Sequence, residues 1–347
     1  MEARACVLHT RKDLRVEPVA VAPLGAGEVL VRMGAGGICG SDLHYYLDGG
    51  FGVVRVREPI VLGHEVAGTV EAVGPGVEGL AVGERVALNP SKPCGHCRFC
   101  LSGEQQHCLD MWFWGSAMRL PHSQGAFRER IVVEAFRCQP VGDEVSLGEA
   151  ACCEPLSVAL HAVRQAGDLS GRRVLVTGAG PIGALVVAAA RHAGALDVVA
   201  TDLHDAALEK ASAMGATDVV NVGSGEGLGA SRFTADKGRF DVAFECTGVG
   251  PVLASILPVV RPRGSIVQVG VGGNVDLPIG AIVGKEIALR GTFRFHEEFA
   301  VAARLIRDRR IDVRPIITAT VPLADAIRAF EMASDRKAHS KVQLSFA

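Results

Sequence analysis

Between residues 173 and 269, short β-branched runs alternate with helix-compatible stretches, and this alternation limits the fold more than any other feature of the chain. RVLVT at 173–177 reads as a buried strand, 182–192 as a helix, 198–202 as a strand and 206–214 as a helix, with further strands at 241–245 and 265–269. Apolar strands separated by helices imply a parallel sheet covered on both faces. The first 150 residues read differently. Segments such as 28–32 and 66–73 are short, alternating and punctuated by glycine, the pattern of a β-rich domain with many turns. After about Phe293 the pattern changes again, to an amphipathic helix near 298–307 and a strand-like KVQL at 341–344. The expected organisation is α/β: a β-rich domain over 1–150, a doubly wound parallel-sheet domain over 151–292, and a tail over 293–347 that returns to the first domain.

Inside the alternating region, Gly178, Gly180 and Gly183, with Pro181 and Ile182 between them, form G-x-G-x-x-G. Alone this match is weak in a chain with 42 glycines. Its context strengthens it, because it follows a strand and opens a helix, as a phosphate-binding turn requires. Gly178 permits the sharp turn, Gly180 lets the backbone approach a pyrophosphate, and Gly183 lets helix and strand pack closely; the helix N-terminus then offers N–H groups to the phosphates. Asp202 ends the next strand. As a ribose-binding carboxylate it would repel a 2′-phosphate, and Leu203 and His204 bring no arginine to hold one, so NAD is favoured over NADP. The other reading of Asp202 is a turn or helix-capping residue. Val269 and Val271, at the end of a later strand, are further candidate coenzyme contacts.

Ten cysteines invite a disulfide reading, but four of them fall within residues 94–108 of a long chain. Cys94, Cys97, Cys100 and Cys108 read C-x2-C-x2-C-x7-C, and four thiolates on one short loop can enclose a tetrahedral ion with no open position, as structural zinc is held. Bacterial ferredoxin spacing, with three residues in the last gap, does not match. A nucleic-acid zinc module lacks the basic surface it would need. A second set is dispersed: Cys39 in GICGSDLH at 37–44, His64 and Glu65 in GHEV at 63–66, and Glu154 in CCEPL at 152–156. Each is ordinary alone, and spacing cannot bring the segments together.

Composition excludes several classes. The 347 residues are 48% hydrophobic and 21% charged, with a formal net charge of -2 and no charge run, which leaves no electrostatic footprint for nucleic acid or an anionic membrane. Residues 1–9 have no secretory apolar core, and the longest apolar stretch, 184–190, is too short to span a bilayer. A cytoplasmic location is the default expectation.

Taken in order, GICGSDLH, GHE, the four-cysteine loop, CEPL at 153–156 and the glycine turn resemble the zinc-containing medium-chain dehydrogenases, in their polyol dehydrogenase branch, over essentially the full length. The resemblance implies a GroES-like catalytic domain split around a Rossmann domain. It implies that Cys39, His64 and Glu65 are catalytic zinc ligands and that Glu154 contacts the zinc-bound water or joins the ion; Cys153 beside it stays open as an alternative ligand. Ser41 resembles the first proton-relay hydroxyl, with His44 further along. The implied chemistry is oxidation of a secondary alcohol: the metal stabilises the alkoxide, Ser41 passes the proton outward, and the hydride goes to the nicotinamide.

Substrate candidates are Arg294, Phe113 and Tyr45. Arg294 resembles the substrate arginine of sorbitol dehydrogenases, able to bond hydroxyls or a carboxylate; a solvated surface arginine is the other reading. The residue after it is Phe295, where relatives often have tyrosine. The segment FWGSAM at 113–118, with Pro121, His122 and Gly125, is similar to that of enzymes interconverting L-idonate and 5-keto-D-gluconate, which implies a sugar acid; ordinary aromatic packing is equally open. Three readings follow: a sugar-acid dehydrogenase, a sorbitol- or xylitol-type dehydrogenase of neutral polyols, and a zinc-stabilised NAD-binding protein without activity. The expected partner is a small-molecule polyol or sugar acid, in a homodimer or homotetramer, with no nucleic acid and no membrane.

Overall fold

The computed structural model describes residues 1–225 and 227–346. By backbone contacts the chain divides into two units, Met1–Glu154 with Phe299–Arg310 and Ile317–Ala347, and Pro155–Glu298 with Ile311–Ile316.

The first unit is built on an antiparallel sheet whose central strand, Glu28–Gly37, pairs with Glu65–Val73 on one side and Lys341–Ser345 on the other. The register sets Gly37 opposite Glu65 and also opposite Gln343. Three strands thus end at one place, and the residues just beyond or at their ends (Cys39, His64, Glu65 and Lys341) are brought together. A Cβ on Gly37 would lie 2.2 Å from Glu65 Oε2, so a side chain there would displace that carboxylate. The strand runs five residues beyond the 28–32 read from sequence; its GAGG end, at 34–37, carries no apolar alternation to mark it. Beneath the sheet, Val31, Met33, Val70, Leu88, Phe127, Phe330 and Leu344 form a buried apolar core, stabilised in proportion to the area removed from water.

The second unit contains a parallel sheet in the order Asp218–Asn221, Asp197–Asp202, Arg173–Thr177, Phe240–Glu245, Val260–Gln268 and Ala288–Gly291. In chain order this is 3-2-1-4-5-6, so the direction of winding reverses between the strands ending at Thr177 and Glu245, where such sheets open a ligand crevice at their carboxyl ends. The inner strands are buried on both faces: Val174, Leu175 and Val176 are inaccessible, as are Val198 and Ala200. Helices Pro181–His192 and Asp205–Ala213 agree with the sequence reading to within a residue at each end. The strand at 265–269 instead begins at Val260, hidden in sequence by the polar turn-like RPRG of 261–264; Arg261 is accommodated there by an ion pair with Asp241. The strand Asp218–Asn221 is too short to have stood out in the sequence.

Candidate active site and metal centres

Cys39 caps the N-terminus of the helix Gly40–Asp48 in an extended conformation. Its N–H donates to Asp42 Oδ2 at 3.0 Å, while Ser41 hydrogen-bonds its thiol. His64 and Glu65 start the strand opposite. Gly63 precedes them at φ +96°, and a Cβ there would fall 2.1 Å from the Phe127 ring, so only glycine makes this approach. The donor atoms of Cys39, His64 and Glu65 all lie within 4.8 Å of one another. Burial, with Glu65 beside it, pushes the Cys39 thiol up to about 11, against the opposing pull of the Lys341 cation.

Two residues that sequence reasoning missed hold this set. Asp42, fully buried, accepts from Gly63 N–H at 3.3 Å, and its Oδ1 lies 3.8 Å from His64 Nδ1, which has no hydrogen bond. A carboxylate beside one ring nitrogen is what a metal-ligating histidine commonly has behind it, leaving the other nitrogen for the ion. Lys341, 3% exposed, lies 2.8 Å from Glu65 Oε1 and 2.7 Å from Oε2, and donates to Ile38 O at 3.2 Å. Only the Oε1 contact has hydrogen-bond geometry, which leaves Oε2 without a hydrogen bond. The sequence signal for Asp42 was its place three residues after Cys39, where a helix cap is completed; for Lys341 it was a lone cation opening an apolar terminal strand.

Glu154, in the first turn of the helix Cys153–Ala166, is buried, and its charge is felt alongside those of His64, Glu65, Cys39 and Lys341. Burial pushes its carboxyl up to about 8. Its oxygens are not among the three clustered donors, nor is the buried Cys153 sulfur. A thiolate, an imidazole and one carboxylate, partly unsatisfied and converging, suit zinc with a position left open. His44 follows Ser41 by three residues on the same helix and is partly exposed, its ring 3.1 Å from Asp48 and 4.9 Å from Phe51. The buried Phe113 ring lies 5.4 Å from that of His64. Tyr45 is also buried, and its hydroxyl accepts from Ala117 N–H at 3.2 Å, tying the 113–118 segment to this helix.

The four-cysteine loop is a separate cluster. Its sulfurs also lie within 4.8 Å of one another, with Cys97 3.5 Å from Cys100 and 4.0 Å from Cys108. Backbone N–H groups face the sulfurs: those of Cys94 and Asp110 reach Cys108 at 3.1 and 3.3 Å, and those of Leu109 and Cys100 draw Cys97 down to about 6. Gly95 and Gly103, both at φ +79°, let the loop turn tightly. Four convergent sulfurs, with no other donor grouped with them among the described residues, fit a closed zinc site.

In the second unit, Gly178 turns the chain at φ +83°, Gly180 caps the helix Pro181–His192 and Pro181 occupies its first position, where the missing N–H is no loss. A Cβ on Gly183 would fall 1.7 Å from Gly178 O, whereas the space beside Gly180 is open. Ile182 is partly exposed. Asp202 does act in the turn: Oδ2 accepts from Ala179 N–H at 2.8 Å and Oδ1 from His204 N–H at 3.0 Å. Ionised carboxylate oxygens retain further lone pairs for ribose hydroxyls. Val269 and Val271 line a cavity of about 350 Å³ together with Gly248, Gln268 and Thr292. Gln268 Oε1 and Thr292 Oγ1 are buried there without a hydrogen-bond partner, which fits a ligand carrying both donors and acceptors. Arg294 is partly exposed, at φ +52°, with its guanidinium 4.9 Å from the Phe293 ring; Phe295 is buried.

Residues 25–143 match the family described as alcohol dehydrogenase GroES-like domain, and residues 181–308 the family described as zinc-binding dehydrogenase. The chain is 40% identical to L-idonate 5-dehydrogenase (NAD(P)(+)) of Escherichia coli strain K12 over 347 residues, all of this chain and 99% of that one. It is 34% identical to sorbitol dehydrogenase of Bacillus subtilis strain 168 over 332 residues, covering 95% and 93% of the two chains. The crystal structure of L-idonate 5-dehydrogenase from Escherichia coli K-12 is similar at a TM-score of 0.95 and 40% identity, over 99% of this chain and 98% of that one.

Proposed function

This chain belongs to the zinc-containing alcohol dehydrogenase family, in its polyol dehydrogenase branch, and from that premise we propose that it oxidises a secondary alcohol of a sugar acid, L-idonate to 5-keto-D-gluconate, with NAD as hydride acceptor. The observation that carries the reading is the convergence of Cys39, His64 and Glu65 from two segments onto one point. The full-length similarity to an L-idonate 5-dehydrogenase narrows the alcohol.

When bound, zinc supplies a Lewis acid that lowers the pKa of the substrate hydroxyl, and NAD supplies the hydride acceptor. Cys39, His64 and Glu65 hold the ion, with Asp42 fixing the imidazole and Lys341 the carboxylate. Ser41 takes the proton released by the hydroxyl and hands it toward His44, which reaches solvent. Glu154 would face the position that Cys39, His64 and Glu65 leave open, or would join them in holding the ion. Phe113 and Tyr45 form an apolar wall that orients the carbon chain, and Arg294 supplies a cation for the substrate carboxylate. Gly178, Gly180, Pro181, Ile182 and Gly183 receive the pyrophosphate, Asp202 the adenosine ribose, and Val269 and Val271 the remainder of the coenzyme. Four unpaired thiols in one loop suit the reducing cytoplasm, and no helix among the described residues is long and apolar enough to cross a membrane. The working form in this reading is a homodimer or homotetramer. The edge strand Ala288–Gly291 is exposed at all four residues, and such an edge pairs readily with another chain.

A sorbitol- or xylitol-type activity is the second reading, favoured by the sorbitol dehydrogenase similarity. One experiment separates them: zinc content and NADH formation with L-idonate, sorbitol, xylitol and L-threonine, repeated with NADP. The proposal expects the highest kcat/KM with L-idonate and NAD. A preference for sorbitol or xylitol establishes the second reading, and a zinc-loaded protein inert to all four alcohols establishes a non-catalytic NAD-binding role.

A further inference from the structure

Glu245 ends the strand Phe240–Glu245 and is completely buried. Its carboxylate accepts from four donors: Thr247 N–H at 2.7 Å, the Thr247 hydroxyl, Gly248 N–H at 2.9 Å and Gln268 Nε2 at 2.5 Å. Its main-chain oxygen accepts two more, from Val269 and Gly270 N–H, each at 2.8 Å. The donors come from both of the loops that line the 350 Å³ cavity, Gly248 and Val249 on one side and Gln268 to Gly273 on the other. The loops touch backbone to backbone: a Cβ on Gly270 would fall 2.1 Å from Gly248 N, and one on Gly272 would fall 1.9 Å from Gly248 O. Thr247 in turn abuts the phosphate turn, since a Cβ on Gly178 would lie 2.7 Å from Thr247 Cγ2.

The carboxylate also decides which way the Gln268 amide points. Nε2 is spent on Glu245 and on Gly270 O at 2.7 Å, so Oε1 is left buried and unpartnered. We infer that Glu245 is the positioning residue for the coenzyme beyond its pyrophosphate: it sets the separation of the two cavity loops and turns the Gln268 acceptor toward the ligand. The inference rests on the proposed NAD binding. Strand order supports the assignment of ends, because Asp202 lies on one side of the glycine turn and the cavity strands on the other, so a dinucleotide anchored at Asp202 and the turn extends toward the cavity. An ionised carboxylate accepts only, and therefore serves four donors at once; a neutral amide in its place must turn an NH2 toward one pair of them.

The test compares NADH with ADP-ribose, which ends before the nicotinamide, by titration of the zinc-loaded full-length protein. Glu245→Gln is expected to raise the NADH dissociation constant about tenfold and leave that of ADP-ribose within about twofold, because the donors left facing donors lie at the cavity loops. Thr247→Val keeps the charge and removes one donor; it should weaken NADH about threefold with ADP-ribose unchanged, and it decides the matter if Glu245→Gln does not fold. Equal loss of both ligands, the mark of general loosening, overturns the inference, as does unchanged NADH binding. A wild-type protein that binds neither ligand instead overturns the NAD reading beneath it.

Discussion

The two candidate metal centres differ in how their residues are gathered, one from a single loop and the other from paired strands. Cys94, Cys97, Cys100 and Cys108 lie on one loop, and their sulfurs converge within it. Cys39, His64 and Glu65 meet only because the strands Glu28–Gly37 and Glu65–Val73 pair with Gly37 opposite Glu65. The first group is all sulfur and closed, which suits an ion that holds structure. The second mixes sulfur, nitrogen and oxygen, with the buried Asp42 beside His64 and Lys341 paired with Glu65; such a set suits an ion with a position open for substrate.

Cys39→Ser and Cys97→Ser should have opposite consequences. Cys39→Ser should lower kcat by ~10³-fold, the several kcal/mol that a Lewis acid contributes to the transition state, while circular dichroism and the zinc of the cysteine loop stay intact. Cys97→Ser should do the reverse: loss of one zinc and a fall in Tm of roughly 10 °C, from several kcal/mol of metal-linked stability, with residual activity per folded molecule preserved. If both variants lost activity and stability in the same proportion, the division of roles would be wrong.

Lys341→Met probes the support of the dispersed centre. Removing one partner of a buried pair leaves an uncompensated charge and costs about 3–5 kcal/mol. Zinc brings its own positive charge to Glu65, so the loss in Tm should be large without zinc and smaller with it. An equal loss in both states would show that Lys341 matters only for packing. Asp42→Asn is expected to have the smallest effect, a ~10- to 100-fold weaker zinc affinity at the catalytic centre, read by competition with a chromophoric chelator. The cysteine loop should be unmoved.

The same contrast explains what the sequence made legible. The cysteine loop could be read directly because its ligands are local and their spacing carries the geometry. The parallel sheet was legible from the buried runs at 173–177 and 198–202, and the glycine turn from its place between strand and helix. For the catalytic set, the residues were recognisable but their meeting was not, since it depends on antiparallel register. Lys341 is separated from Glu65 by 276 positions, and nothing in KVQL announces that its lysine is buried against a carboxylate. Asp42 was hidden for a different reason: an acidic residue near a helix start reads first as a cap, and it does serve as one, its second oxygen facing His64. Glu245 ended a strand that was read correctly, but its four donors come from turns whose shapes depend on glycine contacts no periodicity records. Asp202 carried two readings, ribose ligand and turn residue, and the turn hydrogen bonds are present in the fold.

The most direct test of the account follows zinc content and alcohol oxidation together as a chelator is added to the purified protein. The account predicts two zinc ions per chain. The first should leave with all of the activity while circular dichroism is unchanged, and the second with a fall in Tm. A single zinc per chain, or activity that survives removal of the first ion, would contradict it.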